Sequence, residues 1–458
     1  METVFQHRHL LERLVTICST ILMVLIGASL LAGVFAGDIQ FWDEATNLQV
    51  IVESSAEQDF WNLRYQGEYF WEKPPLFYWA GITIYKLAGS NPALLPYLMR
   101  GFTAFVSFCL ISIVFALLRR KSAVSGFIWL AIISMVPFLW QFSPTGVLAT
   151  HNLRSADSDM LQLSFMLLSS LAVYKFRSRK GWGWLIASGI LSALAIFTKG
   201  PLGILPMLLL LIPFAGYRPK LKYILVGFVL ALSFTSAWVV LMIANFGGDF
   251  WQQYFIYHQL SRANSALEGH NQPWWFYLRL LIDGGFSGPL LPAFIGAVIL
   301  ILRKRLLTSV TTIIFIMAVL CFVAVQFTST KIAWYLLPAG IFACIFISSV
   351  KIKLSYMWLF LIYFLATVSL FSTLFLFISQ RNTLQGDALG DSVHVYCSSQ
   401  DHRIFNFYRA AAKLTEIDES AEPRIYVDLN DLEGCPLTGQ GWELERLVSG
   451  NYAILKLK

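Results

Sequence analysis

Two short blocks of charge stand out in an otherwise apolar chain: Asp43-Glu44, and Glu72-Lys73 followed by Pro74-Pro75. Between them lie Glu53, Glu57, Asp59, Arg64 and Glu68, and the whole stretch follows directly on a long apolar run. So many carboxylates beside a bilayer make little sense as packing and good sense as chemistry. A carboxylate pair at this place fits a general base. A single Asp would be enough to cap a following helix, and capping is the alternative reading. Pro74 and Pro75 can start a helix, because the amide donors they lack would be unpaired there anyway. A helix N-terminus favours anions, and Lys73 adds a positive charge beside it, which makes Lys73 a candidate phosphate contact. Interfacial snorkelling of the lysine is the alternative, and it leaves the neighbouring Glu72 unexplained.

The elements that must hold these residues are membrane helices. The 458 residues are 57% hydrophobic and only 13% charged, against about 25% charged in a soluble domain. That is too little polar surface to cover a water-soluble globule, so the chain reads as a polytopic membrane protein. The net charge of +7 does not point to nucleic acid. Its basic residues sit in short clusters between apolar runs: Arg119-Arg120-Lys121, Arg177 to Lys180, Arg218 to Lys222, Arg303 to Arg305, and Lys351 with Lys353. This is the positive-inside pattern of cytoplasmic loops. Val34-Phe35-Ala36 resembles a signal-peptidase site, but the apolar run before it is longer than the roughly 7–15 residues of a signal-peptide core. The first helix is therefore expected to be retained, with the N-terminus in the cytoplasm.

Residues 74–89 are shorter than the roughly 20 needed for a crossing. Read as an amphipathic helix on the outer surface, they let every basic cluster fall inside. Spans are then expected near 97–118, 123–142, 159–175, 183–199, 201–216, 222–244, 275–301, 307–327, 333–350 and 355–379. The expected fold is an all-α polytopic membrane protein with about eleven transmembrane helices, external amphipathic helices and a small C-terminal α/β external domain. The transmembrane domain covers 1–379, with 38–96 as its external catalytic loop, and the small domain covers 380–458. The latter carries an alternating stretch VHVYCSS, a helical pattern RIFNFYRAAAKL, a strand RIYVDL and a last strand pair around Leu444 to Leu457. Cys18, Cys109, Cys321 and Cys344 lie in apolar spans and read as packing residues. Cys397 and Cys435 lie in the polar tail, where a disulfide can form if the tail is outside the cytoplasm.

This topology puts the polar segments that are not basic clusters on one face of the membrane: 38–96, 151–159, 198–200, 245–274 and 328–331. An enzyme acting on lipid-attached substrates would be built that way. Asp157 and Asp159 start a span, and capping and function are equal readings. Lys199 and Lys331 lie in external turns against the positive-inside bias; each holds an anionic lipid phosphate or anchors the surface. His258 and Arg262, four apart, share one face of a helix. A histidine of this loop, His258 or His270, is a candidate to hold a divalent metal (zinc, magnesium or manganese) with Glu72.

The Asp-Glu pair after the first helix, with the run from Tyr69 to Trp79 (YFWEKPPLFYW), resembles the GT-C class of membrane glycosyltransferases. The similarity is closest to the branch of lipid A aminoarabinose transferase and its protein O-mannosyltransferase relatives. It continues through the Asp157 loop, Leu194 to Pro201, His258 to Arg262, His270 to Tyr277 and Lys331 to Pro338, and so covers most of 38–340. The resemblance implies that Asp43, with Glu44 beside it, is the catalytic carboxylate and that Asp157 is the second acidic motif. Lys73 would hold the phosphate of a polyprenyl-phosphate sugar, with Lys199, Arg262, Lys331 and Tyr335 as further substrate contacts, and Glu72 would help bind a metal. The chain departs from the pattern at Thr46, where members often carry an Arg; Arg64 is the candidate replacement. It also carries an inserted aromatic at Phe70-Trp71. The implied function is transfer of a sugar, with inversion, from a polyprenyl-phosphate donor to a glycolipid of the lipid A or lipopolysaccharide type, or to a protein. The implied place is the periplasmic face of a bacterial inner membrane, with membrane lipids and no nucleic acid as partners. A transporter or flippase for lipid-linked sugars is the first alternative, though the charges sit in loops and no internal repeat is visible. A non-catalytic lipid-binding or assembly subunit is the second.

Overall fold

In a computed structural model the described residues are 2–36, 39, 43–56, 61–140, 151–213, 220–266, 270–282, 290–304, 309–350, 355–379, 393–397, 424–428, 442–449 and 452–457. The expectations for Glu57, Asp59, Arg218, Arg305, Lys351, Lys353, the stretch RIFNFYRAAAKL and Cys435 lie outside them.

The long apolar run near the N-terminus forms one helix, α1 (Glu2–Val34). The acidic pair then opens α2 (Asp43–Ala56), with both carboxylates in its first turn, where the helix dipole favours negative charge. A tight hairpin follows, β1 (Arg64–Tyr65) against β2 (Glu68–Tyr69). Its turn carries positive φ at Gln66 and Gly67. Pro75 caps α3 (Leu76–Leu87), so the prolines start a helix as their chemistry predicts, and its 12 residues are too few to span a bilayer.

Next come α4 (Leu95–Lys121), α5 (Ala123–Met135) and the short α6 (Pro137–Trp140). Beyond the loop 151–158 lie α7 (Asp159–Arg179) and α8 (Trp182–Lys199). The span expected over 201–216 is not a continuous helix. A 3-10 turn at Pro201–Ile204 and the four-residue α9 (Leu205–Leu208) stand there instead, because Pro201, Pro206 and Pro213 remove donors and break the ladder. The long α10 (Leu221–Phe250) is kinked at Gly247, φ +57, a backbone region glycine reaches without steric cost. It continues as a π-helix at Trp251–Ser261 and a last turn, α11 (Arg262–Asn264). The region expected as one span over 275–301 holds α12 (Phe276–Ile282) and α13 (Leu290–Lys304). Then follow α14 (Ser309–Gln326), a 3-10 turn at Ala333–Leu336, α15 (Leu337–Ser349) and α16 (Tyr356–Ser379).

Among the described residues, five helical stretches are long and apolar enough to cross a membrane: Leu10–Val34, Leu95–Lys121, Trp182–Lys199, Leu221–Ser261 and Tyr356–Ile378. Four shorter apolar helices accompany them. Large apolar side chains stay exposed on these helices, Val24, Phe105, Val240, Phe360 and Phe375 among them. Such a surface suits lipid, with the backbone polar groups satisfied inside each helix. The chain is a polytopic helical membrane protein.

Toward the C-terminus four strands, β3 (Val393–Cys397), β4 (Arg424–Asp428), β5 (Trp442–Ser449) and β6 (Tyr452–Leu457), form one sheet in the order β3-β4-β6-β5. β3 lies parallel to β4 and the other pairs are antiparallel. The strands fall on the stretches whose alternation predicts them.

The main core runs between α1, α4, α5, α7, α14, α15 and α16. A separate cluster joins α2 to α3 and the start of α4 through Leu48, Ile51, Phe77, Tyr78 and Met99. The helices approach closely at Gly81, where a Cβ would sit 2.4 Å from Ile51 Cδ1. A third, aromatic cluster packs Trp71 against Phe246 and Phe250 and so ties the end of the hairpin segment to α10.

Candidate active site

The five polar segments, far apart in sequence, converge on one cavity of about 410 Å³. Segment 38–96 contributes Glu72 and Lys73, and the α7 start contributes Asp159. The α8 end supplies Lys199, the π-helix region His258, Gln259 and Arg262, and the turn after α14 Thr328. Leu202, Leu205, Val325 and Pro338 supply an apolar wall, and Tyr335 borders it. The cavity lining thus combines the cations Lys73, Lys199 and Arg262 and the carboxylates Glu72 and Asp159 with apolar side chains.

Through these charged groups runs an unbroken chain of alternating charge. Lys73 Nζ lies 3.0 Å from Asp43 Oδ2, and His151 Nε2 lies 3.1 Å from the same oxygen. The other ring nitrogen of His151, Nδ1, hydrogen-bonds to Asp159 Oδ2, and Asp159 Oδ1 accepts from Lys199 Nζ at 2.5 Å. Both ends of the chain, Lys73 and Lys199, line the cavity. Both cations lie nearest Asp43 at its Oδ2.

The chain fixes the charge states of its members. Burial alone would raise Asp43, but Lys73 and then His151 outweigh it and hold the carboxyl well below the usual range. Burial would depress His151, yet Asp159 and then Asp157 hold its pKa up at about 9. With a carboxylate at each nitrogen, the ring carries both protons as an imidazolium. For Lys73 the loss of solvation is likewise outweighed by Asp43, and its pKa rises.

Sequence alone did not single out His151, and the structure shows how firmly it is placed. Its side chain is fully buried and its ring stacks on Trp334 at 4.3 Å and 11°. Its backbone is left-handed, φ +60, which costs a non-glycine residue about 1–3 kcal/mol. The loop around it repays that strain with hydrogen bonds. Asp157 Oδ2 accepts the His151 backbone N–H at 2.7 Å and the Ser155 hydroxyl, while Oδ1 accepts the Asp159 N–H at 3.1 Å. Asn152 Oδ1 accepts the N–H groups of Arg154 and Ser155 at 3.0 and 3.1 Å. Asp157 is pushed up, burial being the largest cause and Asp159 a further one. It is a loop-forming residue, set behind Asp159 rather than on the cavity.

α2 grips this loop with one face. Asn47 donates to the Ala156 carbonyl at 3.0 Å and accepts from the Tyr78 hydroxyl at 2.7 Å. Glu44, fully buried, accepts the Ala156 N–H at 3.0 Å and holds Arg100 with two bonds of 2.8 Å. Arg100 and Arg154 in turn donate to the Ala36 and Gly33 carbonyls at the end of α1, at 3.2 and 2.8 Å. Positions 43, 44 and 47 share one helical face, so the register that seats Glu44 also aims Asp43 at Lys73. Glu44, expected beside Asp43 as a catalytic group, is occupied in this clamp, whereas Asp43 keeps 13% of its side chain exposed. Two other expected substrate contacts are also placed elsewhere. Arg64 lies in the hairpin with its guanidinium 3.8 Å over the Tyr69 ring, outside the cavity lining. Lys331 donates to the carbonyls of Gln326 and Thr328 at 2.9 and 2.6 Å and fastens its own turn.

Two groups bear on a metal. Glu72 and His258 do meet at the cavity, but His270 is not among its lining, and the three do not form a metal-sized cluster among the described residues. Glu72 faces Arg262 instead, at 3.7 Å. The group with metal-like spacing is His151, Asp157 and Asp159, whose ligand atoms lie within 4.8 Å of one another. Its chemistry fits a cation poorly: every carboxylate oxygen of the pair already accepts a proton-bearing donor, and Lys199 supplies the positive charge.

No protein-family model matches the sequence. An uncharacterized protein of Aquifex aeolicus is 29% identical over 244 residues, 51% of either chain. An undecaprenyl phosphate-alpha-4-amino-4-deoxy-L-arabinose arabinosyl transferase of Pseudomonas fluorescens is 31% identical over 115 residues, 24% of this chain and 20% of that one. The transferase of the same name from Erwinia tasmaniensis is 26% identical over 167 residues, 35% and 29%. The matched stretch thus spans about half the length of the first relative and under a third of the transferases. Among solved structures, ArnT from Cupriavidus metallidurans in the apo state superposes with a TM-score of 0.66 at 14% identity, covering 96% of this chain and 97% of that one. The chain has the GT-C fold of ArnT. A second ArnT structure, bound to undecaprenyl phosphate, superposes with a TM-score of 0.64. The agreement extends over nearly the whole of both chains.

Proposed function

We propose that this chain is a glycosyltransferase that takes a sugar from a polyprenyl-phosphate donor and transfers it to a hydroxyl of a glycolipid, on the periplasmic face of an inner membrane. The observation that carries this reading is the cavity itself. Its lining brings Lys73, Lys199 and Arg262 together with apolar side chains such as Leu202, Leu205 and Val325, which suits a phosphate joined to a hydrocarbon chain. The names of the transferases it resembles point the same way. They do not favour the transporter alternative.

The phosphate of the donor is held between the ammonium groups and the Arg262 guanidinium. The acceptor oxygen attacks the anomeric carbon from the opposite side. The bond from that carbon to the phosphate oxygen breaks, and its electron pair leaves with the phosphate, where Lys73 and Lys199 stabilise the growing charge. The configuration at carbon inverts. Asp43 accepts the acceptor's hydroxyl proton through Oδ1. A carboxylate held so far below its usual pKa is a weak base toward a free hydroxyl. It suffices here, because that proton becomes strongly acidic only once the new carbon–oxygen bond begins to form. Glu44, Asp157 and Lys331 are positioning residues in this scheme. A divalent cation, if the enzyme uses one, would sit at Glu72 and His258, whose Nδ1 is buried without a hydrogen-bond partner; it would add positive charge beside the phosphate.

Mass spectrometry of envelope glycolipids and glycoproteins tests the reading in cells lacking the gene, complemented with wild type or with Asp43→Asn. The expected result is one sugar mass lost on deletion, restored by wild type and not by the variant. Full restoration by Asp43→Asn would remove Asp43 from the mechanism, and no change on deletion would remove transfer.

A further inference from the structure

The buried histidine of the 151–158 loop belongs to no motif that the sequence reading identified, yet it is the one residue that touches both halves of the charge chain. Lys73 and Asp43 come from the segment around α2 and α3; Asp159 and Lys199 come from α7 and α8. Among the described residues the His151 ring joins Asp43 to Asp159, by an ion-pair contact of 3.1 Å at Nε2 and a hydrogen bond at Nδ1. The ring is itself constrained four ways: at Nε2 by Asp43, at Nδ1 by Asp159, on its face by Trp334 and at its backbone N–H by Asp157. A core histidine needs none of this, and a left-handed backbone at a non-glycine residue persists only where its surroundings over-determine it. Trp334 stands next to Tyr335, which borders the cavity, so the stack also ties the ring to the cavity's far wall.

We propose that His151 is a positioning residue for Asp43: it occupies Oδ2 from the protein side, fixes the rotation of the carboxylate and so leaves Oδ1 turned to the acceptor, while bracing Lys199 through Asp159. This rests on Asp43 being the base. In the absence of His151, Lys73 alone would hold Oδ2, and a single contact does not fix the plane of a carboxylate. Misplacement of a reacting group by an ångström lowers turnover by roughly 100-fold. Binding of the lipid carrier should change little, because the pairs Lys73–Asp43 and Lys199–Asp159 both survive.

The variant His151→Gly is suited to the test, since glycine accepts the left-handed backbone without penalty and leaves a space shaped like imidazole against Trp334. Two quantities are read on the full-length protein in membranes: sugar-modified product per unit of enzyme, and affinity for undecaprenyl phosphate as the probe. The expected result is a fall in product of roughly 100-fold, a change in undecaprenyl phosphate affinity below about threefold, and recovery of at least about tenfold on adding free imidazole. His151→Gln, which offers one donor where two are needed, should fall between the two and not respond to imidazole. Wild-type turnover in His151→Gly would overturn the proposal, as would loss of carrier binding in step with turnover, which marks a collapsed cavity. An inactive Asp43→Asn beside a normal His151→Gly would sink this inference alone; an active Asp43→Asn would sink the reading beneath it.

Discussion

Replacing Lys73 with methionine separates the contact it makes with Asp43 from the phosphate contact proposed for it. Methionine keeps most of the side-chain length and volume in a site only 9% exposed, so packing is conserved and the charge is removed. On the protein side, Asp43 loses a partner at 3.0 Å but keeps His151 at 3.1 Å. Removing one partner of a buried pair outright costs about 3–5 kcal/mol. With a second cation still in place, the loss of stability should be about 1.5–3 kcal/mol, the range for a single hydrogen bond to a charged group. On the ligand side, one of three cations in the cavity lining is gone. One charge-assisted contact of about 1.5–3 kcal/mol converts to roughly 10- to 150-fold weaker binding of undecaprenyl phosphate. The assay is titration of purified Lys73→Met with that lipid, beside a melting curve of the same sample. Lys73→Arg should recover part of the affinity, since it restores the charge while changing the geometry at Asp43. Unchanged affinity in a folded Lys73→Met would refute the reasoning: the lysine would then serve Asp43 alone and the phosphate would lie elsewhere.

Arg100→Met should destabilise the fold by about 3–5 kcal/mol, because it removes the guanidinium that neutralises the fully buried Glu44; in the fraction that stays folded, undecaprenyl phosphate affinity should match wild type, and a selective loss of affinity would place Glu44 in the substrate site after all. The pH dependence of stability has a definite sign at His151: its pKa is raised from an ordinary 6.5 to about 9, so its contribution is fully present below pH about 6.5 and is lost as pH rises through about 9. Melting temperatures of wild type should therefore fall over that interval more steeply than those of His151→Gln, and parallel curves would show that the imidazolium is not stabilised by its carboxylates.

The membrane class and the shared face of the polar segments were legible in the sequence, because both rest on composition and charge bias, which a bilayer enforces residue by residue. The helix start at Pro75 and the acidic first turn of α2 were legible for the same local reason. The 201–216 region was not read correctly, since hydropathy alone weighs Leu and Ile while three prolines decide the backbone. Within the site, Lys73, Asp43, Glu72, Lys199, Arg262 and Tyr335 were named and are brought together or adjacent. Glu44, Arg64 and Lys331 were named for their charge, and the partners that occupy them, Arg100, Tyr69 and two backbone carbonyls, are long-range or conformational facts that spacing does not carry. His151 was missed because a histidine in a loop of small polar residues has no periodicity. The one available signal was its place eight residues before Asp159, in a segment already assigned to the catalytic face.

The charge chain also bears on why a transferase, rather than a carrier of the same lipid, would be built here. Taken together the buried charges nearly cancel, so the site does not derive its preference for phosphate from net charge. It derives it from order: the ammonium groups of Lys73 and Lys199 end the chain at the cavity, with Asp43 and Asp159 between them. On the proposed reading, a donor phosphate meets cations whose positions are fixed before it arrives. Such preorganised charge favours the state in which the phosphate carries the most negative charge, which is the departing one. A transporter gains nothing from that difference, since it must bind and release a phosphate whose charge does not change. On that reading, the order of the chain, with the carboxylate of Asp43 beside the first lysine, suits a bond-breaking step.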